Sequence, residues 1–144
     1  MTVKLIAEPF DPWSRLQEHQ HRLLPSGAYG ATASFVGTMR DFNEGESVAA
    51  MFLEHYPGMT ERELERIVDE IRSRWDCLEV LVIHRVGEIR PGDPIVLVAV
   101  WSAHRKAAFE ACRAVVEALK SRAPFWKKER LPGGARWVEK NTPA

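Results

Sequence analysis

Little in this sequence points to a metal, a membrane or a polyanion. It has only two cysteines, Cys77 and Cys112, far apart and outside any ligand-type spacing. That argues against a disulfide framework or a metal site, and no metal is expected. No apolar run approaches membrane-spanning length and no secretory leader opens the chain, so no membrane is expected and the expected location is cytoplasmic. There is no excess of either charge: 20 Lys and Arg balance 20 Asp and Glu. A neutral chain has no bulk attraction to nucleic acid or anionic lipid. Repeats and low-complexity segments are also missing. No serine or cysteine stands beside a histidine, and no carboxylate pair stands out, so the usual hydrolase and glycosidase sets are not indicated.

What is present suits one soluble domain spanning residues 1–144. The hydrophobic fraction is 45% and the charged fraction 28%, enough for a real core at this length. The charge is unevenly placed. From His104 to Arg130, eight Lys and Arg residues face only Glu110, Glu117 and Glu129. A local cationic zone on a neutral chain suggests a small anionic ligand.

Taken in order, residues 3–7 read as a short strand. Asp11 and Pro12 read as the cap and first turn of a helix that ends at Pro25-Ser26-Gly27. His19 and His21 are expected on its solvated surface. Residues 27–39 read as a strand of small residues, with Tyr29, Ala31, Ala33 and Phe35 on one face. Gly30 and Gly37 suggest bulges or close approach of another backbone. Residues 41–46 read as a polar loop and residues 47–56 as the returning strand. Thr60 and Glu63 have capping-box spacing, opening a helix with Leu64, Ile67, Val68, Ile71 and Trp75 on one face. Residues 79–89 read as one strand, 90–94 as a tight turn, and 95–101 as a central strand covered on both faces. His84 and Arg85 are expected on opposite faces, one of them a packing or hydrogen-bonding residue. Ser102 is the expected cap of a third helix with Ala108, Cys112, Val115, Val116 and Leu119 buried. Residues 135–139 read as a last strand, and 140–144 as a frayed tail.

The stretch around which this organises is residues 120–129. Lys120 and Lys127 lie seven positions apart. Between them Ala123-Pro124 should end the third helix, because proline disfavours helix at the preceding residue. Two ammonium groups could then enter one cleft from two directions, with Phe125 and Trp126 as an apolar wall. The plainer alternative is a cationic helix end complementing the dipole, with an aromatic anchor under the loop. Arg40, at a strand end, suits an anion or else an ion pair with Asp41 or Glu44. His104 and Arg105, at a helix start with free backbone N–H groups, suit a phosphate or else an exposed first turn. The set as a whole fits an anionic substrate or developing negative charge. A lysine flanked by cations also loses its proton more readily.

The segments Phe35-Val-Gly-Thr-Met-Arg40, Leu53-Glu-His-Tyr-Pro-Gly-Met59, His84-Arg-Val-Gly87, Ser102-Ala-His-Arg105, Leu119-Lys-Ser-Arg-Ala-Pro-Phe-Trp-Lys-Lys-Glu129 and Arg136-Trp-Val-Glu139 follow one another in order. Together they resemble the large, catalytic subunit of molybdopterin synthase. The resemblance implies an α+β fold of the α/β-hammerhead type, with about three helices on a mainly antiparallel sheet. It implies a sulfurtransferase of molybdenum cofactor biosynthesis that needs no cofactor of its own. Sulfur would pass from the C-terminal thiocarboxylate of a small ubiquitin-like subunit to cyclic pyranopterin monophosphate, precursor Z, forming the molybdopterin dithiolene. It implies a homodimer of large subunits within a heterotetramer. By position, Lys120 and Lys127 match the functional lysines, and Thr38, Met39, Arg40, His104, Arg105, Lys128 and Glu129 match substrate-binding positions. The tail after Glu139 is brief, with Lys140 the one basic residue there. Two rival readings are a scaffold that kept the fold without the activity, and a nucleic-acid module stacking bases on Phe125 and Trp126. Both lysines are present against the first, and zero net charge weighs against the second.

Overall fold

A computed structural model describes residues 1–43 and 45–138, with Glu46 described by its backbone alone. Three readings, Glu44 as a partner of Arg40, Glu139 in the last strand and the tail from Lys140, lie outside the described residues.

The first sheet has four strands. They are β1 (Thr2–Ile6), β2 (Ala31–Thr38), β6 (Glu79–Arg85) and β8 (Pro94–Ser102), in the order β1-β6-β8-β2. β1 runs parallel to β6, and the other pairs are antiparallel. Alternation sorts the side chains of its central strands. Val80, Val82, Val98 and Val100 enter a core under α2 (Met59–Arg74) and α3 (Arg105–Arg122), where they meet Leu64, Ile67, Val68, Ile71, Val115 and Leu119. Leu81, Ile83, Leu97, Ala99 and Trp101 point the other way, toward Leu16 and Leu24 of the segment around α1 (Pro12–Leu23). This two-sided burial explains the unbroken apolar run of β8.

A second four-stranded sheet stands beside the first. It comprises β5 (Ala50–His55), β7 (Gly87–Ile89), β9 (Phe125–Leu131) and β10 (Gly134–Val138), in the order β10-β9-β5-β7 and antiparallel throughout. Its inner side chains, Met51, Leu53 and Ile89, pack with Met39, Val48 and Phe125. The α+β fold with three helices and mostly antiparallel strands agrees with expectation, but there are two sheets rather than one. The strand expected over residues 79–89 breaks at Gly87, whose φ of +81° suits glycine and sends β7 into the second sheet. The strand expected to return from β2 does not pair with it. β5 lies instead between β9 and β7, and the loop before it holds a small hairpin, β3 (Phe42–Asn43) with β4 (Glu46–Ser47).

Several local expectations shift. The Asp11 carboxylate accepts from the Trp13 N–H at 3.0 Å, as a cap should. The second helix instead starts from Gly58, whose N–H donates to the Glu61 carboxylate at 2.9 Å. Thr60 and Glu63 therefore do not form the capping box. α3 starts from His104, not Ser102, whose hydroxyl donates to the Asp76 carbonyl at 2.8 Å. Tyr29 lies ahead of β2 and packs in the cluster opposite Ala31, Ala33 and Phe35. His21 is exposed, but His19 is buried, its Nε2 3.0 Å from the Glu79 carboxylate, because α1 covers the sheet there. Burial opposes ionisation of Glu79, yet the N-terminal amine, the Val80 N–H and His19 hold its carboxyl below the usual range.

Candidate active site

The C-terminal end of α3 and the start of β9 bring Lys120 and Lys127 to one place. α3 carries Lys120 in its last turn and closes at Ala123, whose N–H donates to the Leu119 carbonyl at 3.3 Å. Pro124 cannot continue the helix, and the chain reverses into β9. The reversal is held from outside. The Thr60 hydroxyl donates to the Pro124 carbonyl at 3.4 Å and accepts from the Tyr56 N–H at 3.0 Å. Thr60 is fully buried, and nothing in the sequence near residue 124 marks it as a partner.

On β9 alternate residues share a face. Phe125, Lys127 and Glu129 point inward, where Lys127 pairs in register with Leu53 and Glu129 with Met51. Trp126 and Lys128 point outward. Trp126 makes an edge contact with Tyr56, with ring centroids 4.6 Å apart, and the Lys128 ammonium lies 5.6 Å from the Trp137 ring centroid. The two aromatics after Pro124 therefore do not form one wall. Phe125 lies against His84 inside the protein, with centroids 4.1 Å apart and planes inclined by 18°.

The electrostatics single out Lys127. Burial, and then the neighbouring charge of Lys120, pushes its ammonium below the usual lysine range, with Glu129 opposing. Glu129 is buried, and each of its carboxylate oxygens takes a hydrogen bond. It accepts from Asn43 and from Arg136, each at 3.0 Å, and the Arg136 guanidinium also donates to the Asn43 carbonyl. This network ties the β3–β4 hairpin to β9 and β10. His84, two-sided between Phe125 and the sheet, is pushed down to about 4 by burial, with the charges of Lys127 and Lys120 adding to the effect.

Of the other expected site residues, Met39 packs in the cluster that holds Leu53 and Phe125 beside Lys127, whereas His104 and Arg105 lie far from the pair. Thr38 is exposed at the end of β2. Met39 is buried, its N–H on the Asp93 carbonyl and its carbonyl taking the Gly92 N–H. Arg40 is exposed, its guanidinium 5.3 Å from the Phe42 ring centroid. His104 and Arg105 are exposed at the opposite end of α3 from Lys120. Arg105 and Lys120 lie fifteen positions apart on the helix, about 22 Å along the axis. Gly30 fixes that junction. Its N–H donates to the Ser102 carbonyl at 3.0 Å, and a side chain there would collide with the Ala103 carbonyl.

Two surface hollows, of about 410 and 330 Å³, lie at the β9–β10 turn and on the outer face of the second sheet. Neither is lined by Lys120 or Lys127. Among the described residues no cluster of His, Cys, Asp and Glu could hold a metal ion, and no helix is long and apolar enough to cross a membrane. Both thiols are pushed up by burial, Cys112 to about 11, which makes them poor nucleophiles.

The MoaE protein family model matches residues 5–122. The molybdopterin synthase catalytic subunit of Pseudomonas aeruginosa is 49% identical over 140 residues, covering 96% of this chain and 91% of that protein. The corresponding protein of Ralstonia nicotianae is 61% identical over 110 residues; the match covers 76% of this chain and 62% of that longer protein. The solved molybdopterin biosynthesis MoaE protein of Burkholderia ambifaria superposes with a TM-score of 0.81 at 44% identity, covering 99% of this chain and 92% of that one. With the two sheets, three helices and the lysine pair in place, the chain belongs to the MoaE protein family, that of the molybdopterin synthase catalytic subunits.

Proposed function

We propose that this chain, as one domain, transfers sulfur from the C-terminal thiocarboxylate of a small ubiquitin-like subunit to precursor Z, producing the molybdopterin dithiolene. The observation that carries this reading is the lysine pair itself. Two ammonium groups flank a reversal pinned by Thr60, and Lys127 is depressed toward the range where it can exchange a proton. A thiocarboxylate is a terminal anion, and a lysine at the mouth of the reversal meets its charge. Holding sulfur and the acceptor carbon in register is largely a matter of positioning. Lys120 and Lys127 are the residues assigned to catalysis.

The substrate's phosphate needs donors that this pair does not supply. Arg40, His104 and Arg105 are the assigned anion-binding groups, with Thr38, Met39, Lys128 and Glu129 completing the substrate-binding set. The 18-residue length of α3 keeps His104 and Arg105 away from Lys120 in one copy. A second copy supplies them in this reading, which fits a homodimer within a heterotetramer. β2 supports such pairing. It is an outer strand, and residues Ala31–Thr38 carry no charge and no proline, the devices by which edges usually avoid partners. Antiparallel pairing of two β2 edges would carry Arg40 of one copy toward Gly30 of the other, and Gly30 lies against Ser102 and Ala103. Two unpaired cysteines accord with a reducing, cytoplasmic setting.

The test is conversion of precursor Z by the purified chain with a thiocarboxylated small subunit. Dithiolene formation dependent on Lys120 supports the reading. Absence of product with an active small subunit overturns it.

A further inference from the structure

Arg85 belongs to no set assigned above, and its surroundings do not satisfy it. Alternation along β6 places it on the face of Leu81 and Ile83, opposite His84, in register with Ile6 of β1. It is 2% exposed. Its Nη2 donates to the Glu88 carbonyl at 2.6 Å, and its Nη1 lies 3.8 Å from the Asp93 carboxylate, an ion pair without a hydrogen bond. Nε and Nη1 have no acceptor among the described residues. The Glu88 carboxylate is engaged elsewhere, 2.6 Å from Arg130 and 3.7 Å from Arg90. A buried guanidinium so poorly matched adds little to stability, and its unmatched donors call for another reason. What it touches is the loop from Glu88 to Asp93. There the Asp93 carboxylate accepts from the Arg90 N–H, and the Asp93 N–H donates to the Arg90 carbonyl, each at 3.0 Å. The same turn grips the backbone of Met39 twice. The Met39 N–H donates to the Asp93 carbonyl and the Gly92 N–H donates to the Met39 carbonyl, each at 2.9 Å. The next residue is Arg40.

We propose that Arg85 is a positioning residue for the substrate-binding segment 38–40: from the buried end of β6 it anchors the turn at residues 90–93, and that turn sets where Arg40 leaves β2. The proposal rests on the sulfur-transfer reading for what Arg40 binds, but not for the contacts. β2 needs a guide at this point. Its register against β8 slips between Gly37 and Thr38, and the ladder ends there. The two bonds to Met39 then take over from the ladder. Both come from a turn that Arg85 reaches at two places, the Glu88 carbonyl ahead of it and the Asp93 carboxylate at its end. A planar guanidinium holds two such partners in a fixed relation, which a point charge does not. Arg40 is exposed, so its placement follows from the path of its own backbone.

Two measurements on Arg85→Met test it. Amide hydrogen exchange reads the positioning directly. Exchange at the Met39 and Gly92 N–H groups should be about tenfold faster or more, while Val82 and Val98 in the middle of the first sheet keep their rates. The thermal midpoint should change little, because the charge removed was poorly matched and the Asp93 side chain, 32% exposed, keeps its bond from Arg90. Unchanged exchange at Met39 and Gly92 overturns the proposal whatever the activity. Acceleration shared equally by Val82 and Val98, with a lowered midpoint, marks a merely structural role and also overturns it. In the assembled synthase KM for precursor Z should rise about 5- to 10-fold, less than the loss of Arg40 itself brings, with kcat changed by less than about twofold. Arg40→Ala should then cost less in the Arg85→Met background than in the parent, because both changes act on one contact. Strictly additive costs overturn the link to Arg40. If Arg40→Ala leaves KM unchanged in the parent, the substrate assignment of Arg40 fails, and the exchange result still decides whether Arg85 positions the segment. Arg85→Lys, whose ammonium reaches one of the two partners, should recover part of KM. If Arg85→Met does not fold, Arg85→Lys carries both measurements, with smaller changes in the same direction.

Discussion

The Thr60 hydroxyl donates to the Pro124 carbonyl across 3.4 Å, tying the first turn of α2 to the reversal between the two lysines. The same oxygen accepts from the Tyr56 N–H. One buried side chain thus fixes both the entry to α2 and the path from α3 into β9. Thr60→Val preserves the shape and removes both bonds. It removes two part-buried hydrogen bonds, each worth about 0.5–1.5 kcal/mol in unfolding free energy. Denaturant titration measures that loss. The predicted signature is a fall in turnover at a temperature where the variant is fully folded, since the distance between Lys120 and Lys127 is then less well held.

Lys120→Ala should abolish dithiolene formation and leave the fold in place, because Lys120 lies at a helix end outside the buried stripe of α3. Circular dichroism and the thermal midpoint should match the parent closely. Lys120→Arg should fail as well. Guanidinium stays protonated and spreads its charge over a planar fork, so it neither exchanges a proton nor fits the space of an ammonium group. Near-parental turnover in either variant removes Lys120 from the mechanism.

If a second copy completes each site, two variants that are inactive at limiting precursor Z should rescue each other. Lys120→Ala lacks the lysine, and Arg105→Ala lacks the phosphate donor. In a mixed dimer one site then inherits both defects and the other inherits neither. Random mixing should restore about a quarter of parental turnover, half the dimers being hybrids with one intact site. Sites built within a single copy give no rescue. Arg40→Ala and Arg105→Ala alone should each weaken precursor Z binding by about 1.5–3 kcal/mol, the range for a hydrogen bond to a charged group. Calorimetry with the assembled enzyme reads it directly.

The parts legible from sequence were those set by local periodicity. Leu64, Ile67, Val68 and Ile71 recur at helical spacing, and all four are buried under the first sheet. The apolar run ending at Trp101 reads as a central strand and is one. The capping of α1 by Asp11 is equally local. What escaped depends on partners distant in the chain. His19 looks like a surface histidine until Glu79, sixty positions on, is placed against it. Thr60 fits a capping box on spacing alone, but its hydroxyl is drawn to Pro124. Strand alternation within residues 79–89 carries no record of which sheet each half joins, and the break turns on Gly87. Residues 125–131 are not read as a strand from the sequence, so the opposite facing of Lys127 and Lys128, and of Phe125 and Trp126, emerges only with β9 itself. The register of β9 against β5 says which face is inside.

His84 also makes stability depend on pH. Its ring is pushed down to about 4 in the folded chain, against 6.5 for an unperturbed histidine. Between those values the unfolded chain binds the extra proton, so folding stability rises with pH through that window. The contribution is fully present above about pH 6.5 and is lost as pH falls toward 4, about 3 kcal/mol at 1.36 kcal/mol per unit. Glu79, held below its usual range, loses stability in the same direction at more acidic pH. Thermal midpoints across pH 4 to 7 should therefore fall toward acid, and His84→Phe should flatten the upper part of that slope without removing the lower part.

The last prediction concerns how the sulfur reaches the lysines. A sulfur carried on a chain terminus must pass into a cleft too narrow for a folded domain, so the tail that bears it has to be thin, and glycine is the thinnest residue. The cleft must offer positive charge to a terminal anion. Lys120 stands at the end of α3, whereas Lys127 lies deeper on the inner face of β9 beside Leu53. A tail arriving over the reversal meets Lys120 first. Phe125 is committed to its stack with His84, so Trp126 and Tyr56, exposed and in edge contact, are the aromatic surface left to guide it. If the small subunit's terminus is activated as an acyl adenylate or ester and sulfur is withheld, the nearer amine becomes the nucleophile. The expected product is an isopeptide bond to the Lys120 Nζ, with the activating group leaving and one proton released. Peptide mapping of the cross-linked complex locates it. A bond mainly to Lys4, Lys106 or Lys140 would place the tail elsewhere on the surface and separate the cationic reversal from sulfur delivery.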